Sequence, residues 1–199
     1  MALGLAMAGV SLVVALVPGA DRLLGGVGPL HHPWQPLTSA FAHGFPGFPM
    51  PLHLAGNLVL LALVGPVAER RLGSVRFLAL TLFAIGLYAA ARGLGGPEAQ
   101  GSSVFLYAYL PVAAWPHARA PSSSPHDTPE DRERARAALW VMGLLLPLGM
   151  GALLMAGGAA PLPALVLGNL YHLTGALAGC LGVVVWRRRI APPPTPPPE

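Results

Sequence analysis

The sequence predicts an all-α, polytopic membrane protein, a bundle of six transmembrane helices, and three observations support this prediction. Of the 199 residues, 54% are hydrophobic and only 10% are charged. The mean hydropathy of +0.59 lies far above that of ordinary soluble domains. The apolar residues fall into six segments, and the arginines lie in the connections or at the ends of the segments. We therefore exclude a soluble domain and expect the net charge of +4 to set membrane topology rather than to bind nucleic acid.

The six segments are residues 3–17, 52–68, 75–91, 103–115, 137–156 and 162–186. Each is predicted to form one helix of a membrane domain that covers residues 1–190. The first segment has an alternative, because Pro18, Gly19 and Ala20 offer a place where a signal peptide would be cleaved. It lacks the basic start of a signal peptide, and this favours a retained helix.

Arginines mark one side of the membrane. Ten of the twelve follow segments two, four and six, namely Arg70, Arg71, Arg76, Arg119, Arg132, Arg134, Arg136, Arg187, Arg188 and Arg189. Arg22 and Arg92 lie in connections on the opposite side. Because positively charged loops stay in the cytoplasm, both termini and the even-numbered connections are predicted to be cytoplasmic.

The long first connection, residues 21–50, is predicted to be an outer loop partly embedded in the membrane surface. Its aromatic residues suit the interface, namely Trp34, Phe41, Phe45 and Phe48. The loop also contains three histidines that raise the question of zinc, His31, His32 and His43. No carboxylate or cysteine accompanies them at ligand spacing, and the sequence has no His-Glu-x-x-His motif, so we expect neither metal nor cofactor.

Two further stretches are predicted to lie outside the helices. Residues 116–135 form a cytoplasmic loop that ends in a helix-start pattern, with Thr128 as N-cap and Pro129 at the first helical position. Residues 191–199 are nearly all proline, which predicts an extended, disordered tail and leaves open a ligand for proline-binding domains. The one cysteine, Cys180, lies in an apolar run and is expected to be a buried, inert thiol.

The fourth segment is too short to cross a bilayer. Its 13 residues make a helix of about 20 Å, against a hydrocarbon core of about 30 Å. Its outer end must therefore begin inside the membrane, and the glycine-rich residues 94–102 must dip in to meet it. Irregular backbone at that depth is tolerated only beside protein or a water-filled cavity. The sequence thus predicts a cavity that opens to the outside.

Four hydrogen-bonding side chains fall at one depth when residues are counted outward from the cytoplasmic helix ends. Ser103 lies about 18 Å from that end and His172 about 22 Å. Asn57 lies at about 18 Å, and His53, one turn further out, at about 24 Å. These residues belong to three different helices, and independent placement would scatter them. Their common depth predicts a single polar site inside the bilayer.

The residue types at this depth indicate an activated nucleophile. A serine hydroxyl reacts poorly until a base takes its proton, and His172 is the candidate base for Ser103. Attack on a carbonyl builds an oxyanion, which His53 and Asn57, at i and i+4 on one helix face, would stabilise. The backbone N–H groups of Ser102 and Ser103 are further candidate donors.

The packing around this site is also suggested by the sequence. Gly175 and Gly179 lie at i+3 and i+7 from His172 and would let another helix approach closely. Simpler roles remain open, because Ser103 is also a candidate helix cap. The histidine and asparagine of the second segment are likewise candidates for plain interhelical hydrogen bonds.

Five motifs, in order along the chain, carry a resemblance to a known family. They are Trp34-Gln35-Pro36-Leu37-Thr38 with Phe41 and His43, His53-Leu-Ala-Gly-Asn57, Glu69-Arg70-Arg71-Leu72-Gly73, Gly101-Ser102-Ser103-Val104 with Tyr107, and His172-Leu-Thr-Gly175 with Gly179. On these motifs the sequence resembles the rhomboid intramembrane serine proteases over roughly residues 34–182. The combination is far more specific than any single motif.

The resemblance implies a six-helix core with Ser103 and His172 as a catalytic dyad and with His53, Asn57 and Ser102 around the oxyanion. It implies supporting roles for Gly101, Tyr107, Gly175, Gly179, Glu69 and Arg71. It also implies cleavage of transmembrane protein substrates near their outer ends, with no cofactor or metal. We expect a multi-pass protein of the bacterial inner membrane, in contact with lipid and not with nucleic acid.

The sequence departs from the family pattern at two positions. Val104 replaces the second glycine of the Gly-x-Ser-Gly motif, and Gln35 stands where an arginine is common. The extra carbons of Val104 are expected to push helices four and six apart, at about 1–3 kcal/mol of strain. Two alternatives follow, a catalytically weak or inactive rhomboid-like protein that binds membrane helices, and an unrelated pore or carrier. The lack of charged residues within the helices argues against ion coupling.

Overall fold

A computed structural model describes residues 2–24, 32–43, 50–93, 101–115, 129–130, 133, 137 and 162–190, with side chains of the last range described from 171 to 186. The helices are α1 (Ala2–Leu16), α2 (Ala20–Leu24), α3 (Gln35–Ser39), α4 (Met50–Leu72), α5 (Ser74–Gly93), α6 (Ser103–Ala114) and α7 (Leu162–Ile190). The described residues contain helices and no strand, as the predicted fold class requires. The following predicted features lie outside them: residues 94–100, His31, Phe45, Phe48, Thr128, nearly all of the fifth segment and the tail 191–199.

Two described helices, α4 with 23 residues and α5 with 20, are long and apolar enough to cross a membrane. The connection between them is a tight turn in which Gly73 has a φ of +76° and donates its N–H to the Glu69 carbonyl at 2.7 Å. Positive φ favours glycine because it lacks a Cβ. The Ser74 hydroxyl donates to Glu69 Oε1 at 2.9 Å, so Glu69 helps to start α5. α1 and α6 are apolar but shorter.

α6 lies at the centre of the described bundle, where it contacts α4, α5 and α7. Eight of its 12 residues are buried, which is typical of a helix enclosed on all sides. Tyr109 stacks on Phe77 of α5, with ring centroids 4.5 Å apart. At the other end, the Arg71 guanidinium donates to the carbonyls of Val112 and Ala113. This buried arginine satisfies carbonyls that the end of α6 leaves without intrahelical donors.

α6 and α7 meet backbone to backbone. A Cβ placed on Gly175 would overlap the Val104 carbonyl oxygen, and one placed on Gly179 would overlap that of Ala108. Only glycine fits at either position, as the i+3 and i+7 spacing predicted. Val104 was predicted to push helices four and six apart, which are α6 and α7 here; the structure instead brings their backbones together at the Val104 carbonyl, with the Val104 side chain buried.

The outward faces of the bundle are apolar. Exposed large side chains include Leu78, Leu82 and Phe83 on α5 and Leu173, Leu177, Leu181, Val184 and Val185 on α7. Cys180 is exposed on this part of α7. The prediction of a buried thiol is therefore wrong, since an apolar run in a membrane helix does not by itself say which residues face inward.

Candidate active site

Ser103 and His172 are hydrogen-bonded to each other across the α6–α7 seam. The Ser103 hydroxyl and His172 Nε2 are 3.0 Å apart, and both residues are partly exposed. Ser103 is the first residue of α6, where few neighbours cover its hydroxyl. His172 lies on α7 one turn before Gly175, so the close glycine contact sets the distance between the two side chains. An imidazole at this distance can take the serine proton.

Tyr107 fixes the plane of the His172 ring. The two rings are stacked, with centroids 4.3 Å apart and an angle of 3° between their planes. Tyr107 follows Ser103 by four residues and therefore lies on the same face of α6. Stacking limits rotation of the imidazole and keeps Nε2 directed at the serine oxygen.

His53 and Asn57 lie beside the turn that precedes Ser103. Both are buried on α4. A Cβ added to Gly101 would come within 2.9 Å of His53 Nε2 and 3.6 Å of Asn57 Nδ2, so both side chains reach this turn. Among the described residues, Asn57 Nδ2 has no hydrogen-bond acceptor. A buried N–H without an acceptor costs about 1–3 kcal/mol, so this amide is available to an incoming hydrogen-bond acceptor.

The turn itself, Gly101 and Ser102, is held by the outer loop. Gly101 has a φ of +121° and donates its N–H to the Ser39 carbonyl at 3.1 Å. The Ser102 N–H donates to His43 Nε2 at 3.3 Å, and the Ser102 hydroxyl lies 2.9 Å from the same nitrogen. The structure therefore engages the Ser102 N–H with His43, and the expected oxyanion role of this group is not supported. Ser102 is fully buried.

Side chains of α3 cap the end of α2 and so order the outer loop. Gln35 donates to the Arg22 carbonyl at 2.7 Å and accepts the His32 N–H at 2.9 Å. Thr38 donates to the Leu24 carbonyl at 2.7 Å. The amide of Gln35, at the position where an arginine is common, thus both donates and accepts. Trp34 is 48% exposed, and its location at the membrane interface stays a prediction.

His43 is the residue whose position the sequence did not predict. It was considered as a zinc ligand and as part of a motif, whereas the structure places it against Ser102 and against Ser11 of α1, at 2.9 Å each. The available signal was Ser11 itself, a polar residue in the middle of an apolar helix. Within the described residues, no group of three or more histidines, cysteines or carboxylates is placed to hold a metal ion.

One comparison with known proteins gives a match. The family model described as the Rhomboid domain matches residues 30–189, a range that contains every predicted site residue. Neither a curated protein nor a solved structure matches the chain. Helix α1, with Ser11, lies before the matched range.

Proposed function

We propose that this chain, which belongs to the rhomboid family and is therefore an integral membrane protein, is an active intramembrane serine endopeptidase. Its substrates are transmembrane proteins, cleaved near their outer ends. The observation that carries the proposal is the 3.0 Å contact between Ser103 Oγ and His172 Nε2. A serine and a histidine in hydrogen-bond contact form the minimal unit of nucleophilic acyl transfer.

The reaction divides into two halves. The Ser103 oxygen attacks the scissile carbonyl carbon while His172 Nε2 takes the hydroxyl proton, and the carbonyl oxygen becomes an oxyanion. The imidazolium then gives that proton to the leaving amine, and an acyl-enzyme remains. In the second half His172 takes a proton from water, the resulting hydroxide attacks the ester, and the proton returns to the Ser103 oxygen as the new carboxyl group leaves.

The polar side chains of α4 supply the charge stabilisation. Asn57 Nδ2 and the His53 ring face the turn at Gly101, directly beside the nucleophile. The oxyanion gains most from donors that are already in place, because no reorganisation is then needed during the reaction. Removal of one such donor costs roughly a hundredfold or more in kcat in serine proteases.

The depth of the site fits a substrate that arrives from the bilayer. α6 has 12 residues and is therefore about 18 Å long, so its first residue lies well below the opposite membrane surface. The arginine distribution supports cytoplasmic termini and therefore a site near the outer side of the membrane, which we expect to be a bacterial inner membrane. Water reaches Ser103 from that side, and substrate helices reach it from lipid.

A serine-reactive fluorophosphonate tests the proposal. Purified protein in detergent or liposomes is treated with the probe, and we expect covalent labelling that Ser103→Ala abolishes. Ser102→Ala is the matched comparison, because it removes the neighbouring hydroxyl and keeps both dyad side chains, and it should still be labelled, though more slowly than the wild type. His172→Ala should lose labelling as well.

Cleavage of a single-helix membrane substrate is measured with the same variants, and the products are identified by mass spectrometry. If Ser102→Ala loses labelling and Ser103→Ala keeps it, then Ser102 and not Ser103 is the nucleophile. A folded protein without labelling or cleavage would favour a rhomboid-like protein that binds membrane helices without cutting them.

A further inference from the structure

A second, fully buried serine–histidine contact lies next to the candidate dyad. His43 Nε2 is 2.9 Å from the Ser102 hydroxyl, and His43 Nδ1 is 2.9 Å from the hydroxyl of Ser11 on α1. All three side chains are fully buried. No substrate carbonyl can reach Ser102 there, so this pair is not a second nucleophile and requires another explanation.

The contacts fix the tautomer of His43. Its Nδ1 lies 3.0 Å from the Phe41 carbonyl, which can only accept, so Nδ1 carries the proton. Nε2 is then a bare acceptor, and it faces two donors of Ser102, the N–H and the hydroxyl. Ser11 donates to the same Phe41 carbonyl at 3.2 Å and accepts from Nδ1. Every donor of the Ser11–His43–Ser102 hydrogen-bond network thus has an acceptor.

The charge state of His43 agrees with this arrangement. Burial, with a smaller contribution from nearby His53, lowers the pKa of His43 to about 3. The ring is therefore neutral at physiological pH, and Nε2 keeps the lone pair that Ser102 needs. A ring protonated at both nitrogens would have no lone pair for the Ser102 N–H, so the turn would lose that hydrogen bond.

The hydrogen bonds hold the turn from both ends. Gly101 is bonded to the Ser39 carbonyl, and Ser102 is bonded to His43. Ser39 is in turn 3.2 Å from the hydroxyl of Tyr88 on α5, and His43 is joined to α1 through Ser11. The residue that follows this turn is Ser103. Its orientation toward α7 therefore depends on two fixed points in the outer loop, each anchored to a different helix.

We propose that His43 is a positioning residue: held in one tautomer by Ser11 of α1, it accepts both donors of Ser102 and fixes the turn that aims Ser103 at His172. This role rests on the proposed protease function. It extends the functional unit beyond the matched domain to α1, since Ser11 lies before residue 30. Misplacement of a nucleophile by about 1 Å costs roughly a hundredfold in rate.

The test compares two substitutions of His43 by labelling rate and by kinetics on a membrane substrate. His43→Leu removes the acceptor, and we expect kcat and the fluorophosphonate labelling rate to fall about a hundredfold while KM changes by less than about threefold. His43→Gln keeps an acceptor oxygen near the Nε2 position and should recover at least about tenfold of that loss. His32→Leu, in the same loop with its ring stacked on Trp34, is the matched control and should keep the wild-type rate.

A further variant and a spectrum cover the case in which His43→Leu does not fold. Ser11→Ala should lower the labelling rate about threefold to tenfold, since His43 keeps the Phe41 carbonyl as one acceptor. ¹⁵N NMR of the imidazoles, assigned with His43→Gln, should show a neutral ring protonated at Nδ1, and this readout does not depend on activity.

Three results would overturn the inference. They are a His43→Leu protein labelled at the wild-type rate, a Gln variant no better than the Leu variant, and a His43 ring protonated at Nε2. If the wild-type protein itself is not labelled, the proposed protease function fails and this role fails with it. An Nδ1-protonated ring would then show that the hydrogen-bond chain exists without serving catalysis.

Discussion

The substitution Gly175→Ala tests whether the backbone contact between α6 and α7 sets the catalytic distance. The added methyl group would overlap the Val104 carbonyl oxygen and would lie 3.2 Å from Tyr107 Cβ. A carbon requires roughly 3.3 Å from a carbonyl oxygen, so α7 must move away from α6 by more than about 1 Å. His172 lies on α7 one helical turn before Gly175 and therefore moves with it.

The consequence follows from the geometry of the dyad. Ser103 Oγ and His172 Nε2 are 3.0 Å apart, and a shift of about 1 Å takes them beyond hydrogen-bond reach. We therefore expect the labelling rate and kcat to fall about a hundredfold. The stacking of Tyr107 on His172 is disturbed by the same movement, because the added carbon also approaches Tyr107.

Gly182→Ala is the matched control for this experiment. It makes the same chemical change on the same helix, and its Cβ would meet only side-chain carbons of Leu80 and Trp186, the nearest at 3.2 Å. Both substitutions raise helix propensity by about 1 kcal/mol, so propensity alone cannot separate them. Rates are measured with the fluorophosphonate in detergent at a temperature where both proteins are folded. A Gly175→Ala protein that is labelled within threefold of the Gly182→Ala protein would refute the reasoning.

Three other predictions follow from the same structure. Asn57→Ala should lower kcat about a hundredfold with little change in KM, measured by steady-state cleavage; an unchanged kcat would remove Asn57 from the oxyanion site. Val104→Gly should not raise turnover and should reduce the free energy of unfolding by about 2–4 kcal/mol, because it empties a buried position. Faster turnover would show that the Val104 side chain does push α6 and α7 apart. The pKa of His43 falls from 6.5 to about 3 on folding, so its contribution to stability is full above pH 6.5 and is lost as the pH drops toward 3. His43→Gln should remove this part of the pH dependence of Tm, and an identical slope in both proteins would contradict it.

Sequence reasoning located the seam and the dyad pair well, for a physical reason. Depth in a bilayer can be counted in residues, and a rise of about 1.5 Å per residue places side chains of different helices at one level. The spacing of Gly175 and Gly179 likewise marks a face that must lie against another backbone. The structure brings Ser103 and His172 together at 3.0 Å, and their catalytic roles stay predictions.

Rotation about a helix axis was harder to predict than depth. Val104 was expected to hold α7 away, yet the two backbones touch at the Val104 carbonyl while the Val104 side chain is buried. The Ser11–His43–Ser102 chain was missed for a related reason, since its members are 32 and 59 residues apart and come from three separate segments. Hydropathy and residue spacing do not predict such contacts, because each contact depends on the path that the loop between the helices takes.

The seam between α6 and α7 also limits which substitutions the protein can accept. Where two main chains touch at Gly175 and Gly179, no side-chain rotamer is available to absorb an error. Any substitution there adds at least one methyl group between the α6 and α7 backbones and so increases the distance between the two helices. A random library should therefore leave these two glycines unchanged and vary the exposed apolar positions instead. An added methyl group at an exposed position does not change the distance between α6 and α7.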